Sequence, residues 1–378
     1  GVAGWVLVLV LGLMALAAAI GRRMRATGGE RAAEVSETGW FRARVDHLVR
    51  TFREQFPERA DALTVADLLP YASTVPRWKR LFTHYDIVQG YSIDGILPLL
   101  AGTPYFAFEH GTIREIPFRE TAEGRRTALV YRAAEHVFVT NFDCLSNAAR
   151  LAPGRHTPLN HPFDEDHGLR VSGWETDREA LSFELEADFL FFFPTRHDWV
   201  EGTGYADKGN DVFLRALAEL RRAGWRVGAI CCAWGANVPQ SKALLAELDC
   251  SGIVKWIEPL PTVQFERMAR AAHCVVDQFV IGGFGGVMFK AMAVGAPVLT
   301  YLDVTRLKQQ YAEVPPVINC RTIADVVTQV TELLKDPRQI DARGSASRQW
   351  MKRNHSKEET VRRQVHAYAS FLAGRRTG

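Results

Sequence analysis

The chain has 378 residues, enough for two ordinary domains with sizeable cores. Its net charge of +3 and isoelectric point near 8.5 come from interspersed acids and bases rather than one basic block, and no RNA- or DNA-binding motif occurs, so no nucleic-acid partner is expected. The cysteines (Cys144, Cys231, Cys232, Cys250, Cys274, Cys320) are scattered through mostly apolar runs without C-x-x-C spacing, which predicts reduced, buried thiols and a cytoplasmic setting for the main body.

In chain order, residues 2–20 form an uncharged apolar run almost long enough to cross a bilayer, followed at once by Arg22, Arg23 and Arg25. By the positive-inside rule a membrane span here anchors the body to the cytoplasmic face. A signal peptide fits less well because no basic region precedes the run, and a buried strand-helix piece of the first domain is the other reading. Residues 26–36 have the small, charged composition of a linker. From 40 to 56 apolar residues recur at helical spacing (Phe41, Val45, Leu48, Val49, Phe52) among arginines, which predicts an amphipathic helix. Its basic face is either solvated or laid on anionic lipid. A second helical segment at 67–81 carries Pro70 and Pro76 and must be broken or short.

The pattern then changes. Residues 86–89 read as a strand, 92–101 as a short helix, 104–108 as a second strand with Glu109, His110 and Gly111 at its carboxyl end, 135–140 as a third strand and 141–151 as a helix. Strands alternating with helices predict a parallel α/β sheet, whose ligands lie beyond the carboxyl ends of the strands. Glu109 and His110 therefore face a ligand position, where a histidine exchanges hydrogen bonds with hydroxyls near neutral pH; the plainer reading is a histidine satisfied by backbone. His161 belongs to the interdomain connector and is not assigned to catalysis.

Residues 171–186 are charged and suit the crossing into a second domain, which opens on a fully buried strand at 189–194. A loop with Arg196, Gly202, Gly204 and Lys208 leads to an amphipathic helix at 212–223. Buried strands follow at 226–232, 252–257 and 274–277, with Glu258 opening a turn ahead of a helix at 263–272. The stretch 274–299 is the most informative: a short apolar strand, a break at Gly282, Gly283, Gly285 and Gly286, a helix, and a stop at Gly295 and Pro297 before the next strand. Glycines admit a ligand to the backbone, and the amino end of the following helix attracts an anion such as a nucleotide diphosphate; tight packing is the alternative reading of the same glycines. A helix at 323–334 and long helical material at 345–372 complete the chain.

Residues 284–299, FGGVMFKAMAVGAPVL, resemble the signature of two-Rossmann-domain (GT-B) retaining glycosyltransferases close to family 4, which runs E-x-F-G-x-x-x-x-E-A-M-A-x-G-x-P-V. The resemblance implies an α/β fold of two Rossmann-like domains facing across a cleft. The acceptor-side domain spans 27–170, with a terminal helix at 355–378 packing back on it, and the donor-side domain spans 171–354. It implies a sugar moved from a nucleotide-diphosphate sugar to a glycan or lipid-linked acceptor. Glu109 and His110 are the catalytic candidates. Arg196, Lys208, Glu258, Asp277, Gln278, Gly283, Phe284, Gly285 and Lys290 are the donor-binding candidates. Where the family pattern has its two acids, this chain has Gly282 and Lys290; Asp277 and Gln278, just upstream, are the candidate replacements. With no H-x-x-x-H cluster, no metal cofactor is expected, and the leaving diphosphate would be stabilised by Arg196, Lys208 and loop amides. The missing acids also support a second reading, a degenerate transferase serving as a nucleotide- or glycan-binding partner subunit; a third, a nucleotide-sugar epimerase on the same fold, would need acid/base carboxylates or histidines directed at one sugar carbon.

Overall fold

Parallel strands need crossover connections, and the alternation of strands and helices in this chain builds two parallel sheets. The computed structural model describes residues 28–163, 171–200 and 207–376. The apolar run at 2–20, Gly202 and Gly204 lie outside the described residues. Among the described residues no helix is long and apolar enough to cross a membrane.

The chain divides into two compact units, one running up to Asn160 and resuming at Val361, the other running His161–Thr360; the sequence suggested junctions near 170 and 354. The first unit carries β1 (Gln89–Tyr91), β2 (Phe106–Glu109), β3 (His136–Val139) and β4 (His156–Pro158), all parallel and adjacent in chain order. Side chains alternate across the sheet. Ala107, Val137 and Val139 face a core shared with Phe41, Val45, Leu48 and Phe52 of the helix Gly28–Gln55. Phe106, Phe108 and Phe138 face the other way, against Tyr368, Ala367, Phe371 and Leu372 of the terminal helix Lys357–Arg376.

The second unit has six parallel strands: β5 (Phe189–Phe193), β6 (Val227–Cys232), β7 (Val254–Ile257), β8 (Cys274–Val276), β9 (Val298–Thr300) and β10 (Ile318–Asn319). Their order is β10-β9-β8-β5-β6-β7. The chain winds outward from β5 through β6 and β7, then returns to the other side of β5 as β8. β5 is buried along its whole length, as its unbroken phenylalanine run predicts.

Three expectations are corrected. The linker at 26–36 is helical from Gly28, because nothing in its Glu, Arg and Ala content opposes extension of the amphipathic helix. The strand at 86–89 forms later, as β1; pairing two residues before its start would set Ile87 against Pro104, which has no N–H for the ladder. The long helical material at 345–372 begins earlier and is broken into two helices, Arg338–His355 and Lys357–Arg376. The helices Trp174–Glu184 and Val238–Glu247 and the short strands β4 and β10 were not foreseen. All six cysteines are buried free thiols.

Tyr368 is 3% exposed and its ring meets Phe106 edge-on at 4.8 Å, so Tyr368→Ala should cost about 3–5 kcal/mol by urea unfolding. An unchanged midpoint would show that this face does not hold the terminal helix.

Candidate functional site

The order of the second sheet reverses between β5 and β8, and ligands of open parallel sheets lie in the crevice outside the carboxyl ends at such a point. Two loops meet there. Thr195, two residues past β5, donates from Oγ1 to Asp277 Oδ1 at 3.0 Å, and Asp277 directly follows β8. The other carboxylate oxygen of Asp277 accepts from Met288 N at 3.3 Å, in the first turn of the helix Gly286–Ala293. The loops are further laced by Phe279 N donating to Lys208 O at 2.9 Å. Buried Asn210 accepts from Asp198 N and donates to Arg196 O, both at 3.2 Å.

Asp277 is 4% exposed. Burial raises its carboxyl above the usual range, opposed by the nearby Lys208 charge and by the bonds from Thr195 and Met288. The helix end expected to attract an anion is thus partly capped by the chain's own carboxyl group. Gly285 makes this approach feasible, because a Cβ there would lie 2.9 Å from Asp277 Oδ2. The remaining first-turn N–H groups are the donors an incoming anion would meet.

Gly282, the first acid position of the resemblance, has φ +70°, and a Cβ there would come within 3.0 Å of Tyr301 and Asp303. Its carbonyl accepts from Asp303 N at 2.9 Å. A glutamate is refused by the backbone itself, so the difference from the family pattern is built into the loop. Lys290, the second acid position, is half-buried with Nζ 5.5 Å from the centre of the Phe265 ring.

Arg196 and Lys208, expected as a clamp, both lie on the loop after β5. The Arg196 guanidinium pairs with Asp198 Oδ2 at 2.9 Å, and Asp198 also accepts from Ala236 N at 2.7 Å. Gln278 differs most from expectation: its carboxamide donates to Tyr301 O at 2.9 Å and accepts from Val280 N and Ile281 N. At 2% exposure it braces the loop rather than facing a ligand. Glu258 is exposed beyond the end of β7, two strands and so about 10 Å from β5.

Phe284 is held in an aromatic cluster that the sequence did not announce. It stacks on His355 at 5.1 Å and on Trp350 at 5.6 Å, with Tyr311 at 6.0 Å and Phe289 at 6.2 Å. His355, 2% exposed, donates from Nδ1 to His161 O at 2.8 Å, which leaves Nε2 to accept from the Tyr311 hydroxyl at 3.1 Å. That arrangement requires a neutral ring, and burial lowers its pKa to about 4. Phe163 N donates to His355 O at 3.1 Å. The glycine loop is therefore tied, through Phe284 and His355, to the segments where the chain enters and leaves the second unit. Gly283, between Gly282 and Phe284, is half-buried.

In the first unit, Glu109 ends β2 and is completely buried. Oε1 accepts from Ile113 N at 3.4 Å, while Oε2 has no hydrogen-bond partner among the described residues, and burial raises its carboxyl above the usual range. It accepts from the loop that follows β2. His110 is exposed beside Tyr91, ring centroids 5.5 Å apart. Partial burial and the Arg114 charge hold its pKa below the ordinary value, so it is a neutral acceptor at pH 7. Arg114 is itself clamped by Asp143. Among the described residues no group of three or more His, Cys, Asp or Glu is arranged to hold a metal ion.

No family model matches the chain, and no curated protein matches it in sequence. Its fold is matched by solved structures. The Anabaena protein HepE in complex with UDP and glucose superposes with a TM-score of 0.63 at 15% identity, over 78% of this chain and 81% of that one. Sucrose-phosphate synthase from Thermosynechococcus elongatus gives 0.62 at 14%, over 81% and 79%. The S. aureus MnaA–UDP structure gives 0.52 at 17%, over 83% of each chain. The fold is the two-domain GT-B fold, as the resemblance at 284–299 implied.

Gly282→Glu should lower stability by at least about 1–3 kcal/mol through its positive φ, measured by thermal or urea unfolding; a neutral result would show that the loop readily takes another form. A second expectation concerns pH. The folded chain holds His355 neutral down to about 4, against 6.5 for an ordinary histidine, so between these values the unfolded chain binds more protons. This contribution to stability is complete above about pH 6.5 and is lost as pH falls toward 4, at up to about 1.4 kcal/mol per unit per proton. His197 and His273 are lowered by burial in the same way. Urea midpoints across pH 4–7 should show a shallower dependence in His355→Phe than in the parent; equal slopes would contradict this assignment.

Proposed function

We propose that this protein is a glycosyltransferase that moves a sugar from a nucleotide-diphosphate sugar to a glycan or lipid-linked acceptor. The observation that carries the reading is the β5/β8 crevice. On a GT-B fold, two loops joined through Thr195 and Asp277 bring Arg196, Lys208 and a helix amino end to one sheet edge. The solved complexes of HepE with UDP-glucose and of MnaA with UDP make a uridine diphosphate the first donor to test.

In this reading the diphosphate leaving group gains negative charge as the bond from sugar to phosphate breaks. Lys208, Lys290, Arg196 and the first-turn amides of the helix Gly286–Ala293 stabilise that charge. Arg196 exchanges Asp198 for phosphate, as a planar fork suits both anions. His110, neutral at pH 7, is the candidate to accept a proton from the acceptor hydroxyl. Retention of configuration and independence of metal belong to the proposal, as does a body held at the cytoplasmic face of a membrane by residues 2–20.

A second reading is favoured by Gly282 and Lys290. Without either acid of the family pattern, the chain would bind nucleotide or glycan as a partner subunit and transfer nothing.

The test is thermal unfolding with UDP, GDP, ADP and CDP. At about a hundred times its dissociation constant a ligand of the folded state adds about 2.7 kcal/mol. One nucleotide should stabilise the protein, and Arg196→Ala and Lys290→Glu should each weaken that nucleotide at least about tenfold, the loss of one charged contact. No shift with any nucleotide would overturn both the transferase reading and nucleotide binding by a partner subunit. Binding without sugar release from UDP-glucose or other UDP-sugars would favour the partner subunit.

A further inference from the structure

A cavity of about 620 Å3 lies in the first unit between the sheet and the terminal helix Lys357–Arg376. This is well within the range of about 300–1,000 Å3 typical of small-molecule sites. Its floor is apolar. Phe106 and Phe371 meet edge-on with centroids 5.5 Å apart, and Pro158 lies beside them. His136 adds an aromatic wall 6.4 Å from Phe106 and is bonded to Thr157 Oγ1 through Nε2 at 3.0 Å. The rim is cationic: Arg362, Arg363 and His366 line the opening from the exposed side of the helix. Arg363, His366 and Ser370 recur at three- and four-residue spacing, which sets them on one side of the helix near Phe371. Glu135 is the acid on the opposite lip.

The position in the sheet separates this cavity from the proposed transfer chemistry. Phe106 and His136 are the first residues of β2 and β3, whereas Glu109 and His110 mark the other end. Three residue steps along β2 amount to about 10 Å. A molecule seated at the amino ends therefore leaves the carboxyl ends open.

We propose that this cavity binds an anionic amphiphile, a single hydrocarbon chain ending in a phosphate, with the chain against Phe106, Phe371 and Pro158 and the phosphate at the Arg362–Arg363–His366 rim. Apolar walls of this size favour a hydrocarbon over water, and guanidinium groups favour phosphate by sign and by fork geometry. Inorganic phosphate would leave the aromatic floor unfilled, and a neutral detergent would leave the rim unused. The inference stands apart from the transferase reading.

The test is calorimetric titration of the full chain with decyl phosphate below its micelle concentration, beside decyl maltoside and inorganic phosphate. Saturable one-to-one binding of decyl phosphate with a negative heat-capacity change is expected, the mark of apolar burial. Arg362→Glu with Arg363→Glu should weaken it about tenfold or more, since both guanidinium contacts to the phosphate are lost and two negative charges take their place. Ser370→Trp, at an exposed position on the lining, should block it without disturbing the core, which circular dichroism and melting checks. Flotation with phosphatidylcholine vesicles, with and without lysophosphatidic acid, identifies the source. Capture that Ser370→Trp abolishes means a membrane lipid, and binding of the monomer alone means a soluble amphiphile. No saturable binding of decyl phosphate overturns the proposal. So does binding that both variants leave unchanged, or equal affinity for decyl maltoside or for inorganic phosphate.

Discussion

The second unit is organised around one buried carboxyl group. Asp277 directly follows the strand that returns to β5, accepts from the Thr195 hydroxyl of the neighbouring loop and accepts from Met288 N of the helix beyond the glycines. Those two bonds fix both loops of the crevice against each other. Removing water from a carboxyl group is costly unless it is hydrogen-bonded, and its raised pKa reflects that cost. The Lys208 charge beside it limits the rise, so a residue first read as a phosphate ligand also holds the crevice together.

The same constraint explains why the family's acids are missing without the fold being lost. Gly282 adopts a conformation that glutamate would not take, and its carbonyl is bonded to Asp303 N. Gln278 fills the space beneath with its amide, bracing 280, 281 and 301. Phe284 leaves the crevice for the cluster of Trp350, Tyr311 and His355. The polar work of the loop is done by backbone and by buried amides. The second acid position carries the cation Lys290. Electrostatically this favours an anionic group and gives sugar hydroxyls one fewer acceptor.

Much of the fold could be read from the sequence because it depends on local pattern. The unbroken Phe run of β5, the 3.6-residue period of the helix around Phe41 to Phe52, and the glycine and proline stops around 282–297 each act within a few residues. The site was less legible because its determinants are distant pairs. Thr195 and Asp277 are far apart in the chain, as are Phe284 and His355, and no spacing rule links them. Glu109 is legible as lying at the carboxyl end of a strand, but only the packing shows that it is completely buried. Arg196 was seen as a cation, while its partner Asp198 decides what a ligand must displace. Short elements such as β4 and β10 carry too few apolar residues to register as strands without their neighbours.

The central claim is that the crevice between β5 and β8 receives a nucleotide diphosphate. Hydrogen exchange read by mass spectrometry, with and without saturating UDP, addresses it residue by residue. Slowed exchange confined to peptides covering 195–199 and 277–288, with the strands of the first unit unchanged, is the expected result. Saturation by UDP with no protection in either segment would contradict the account.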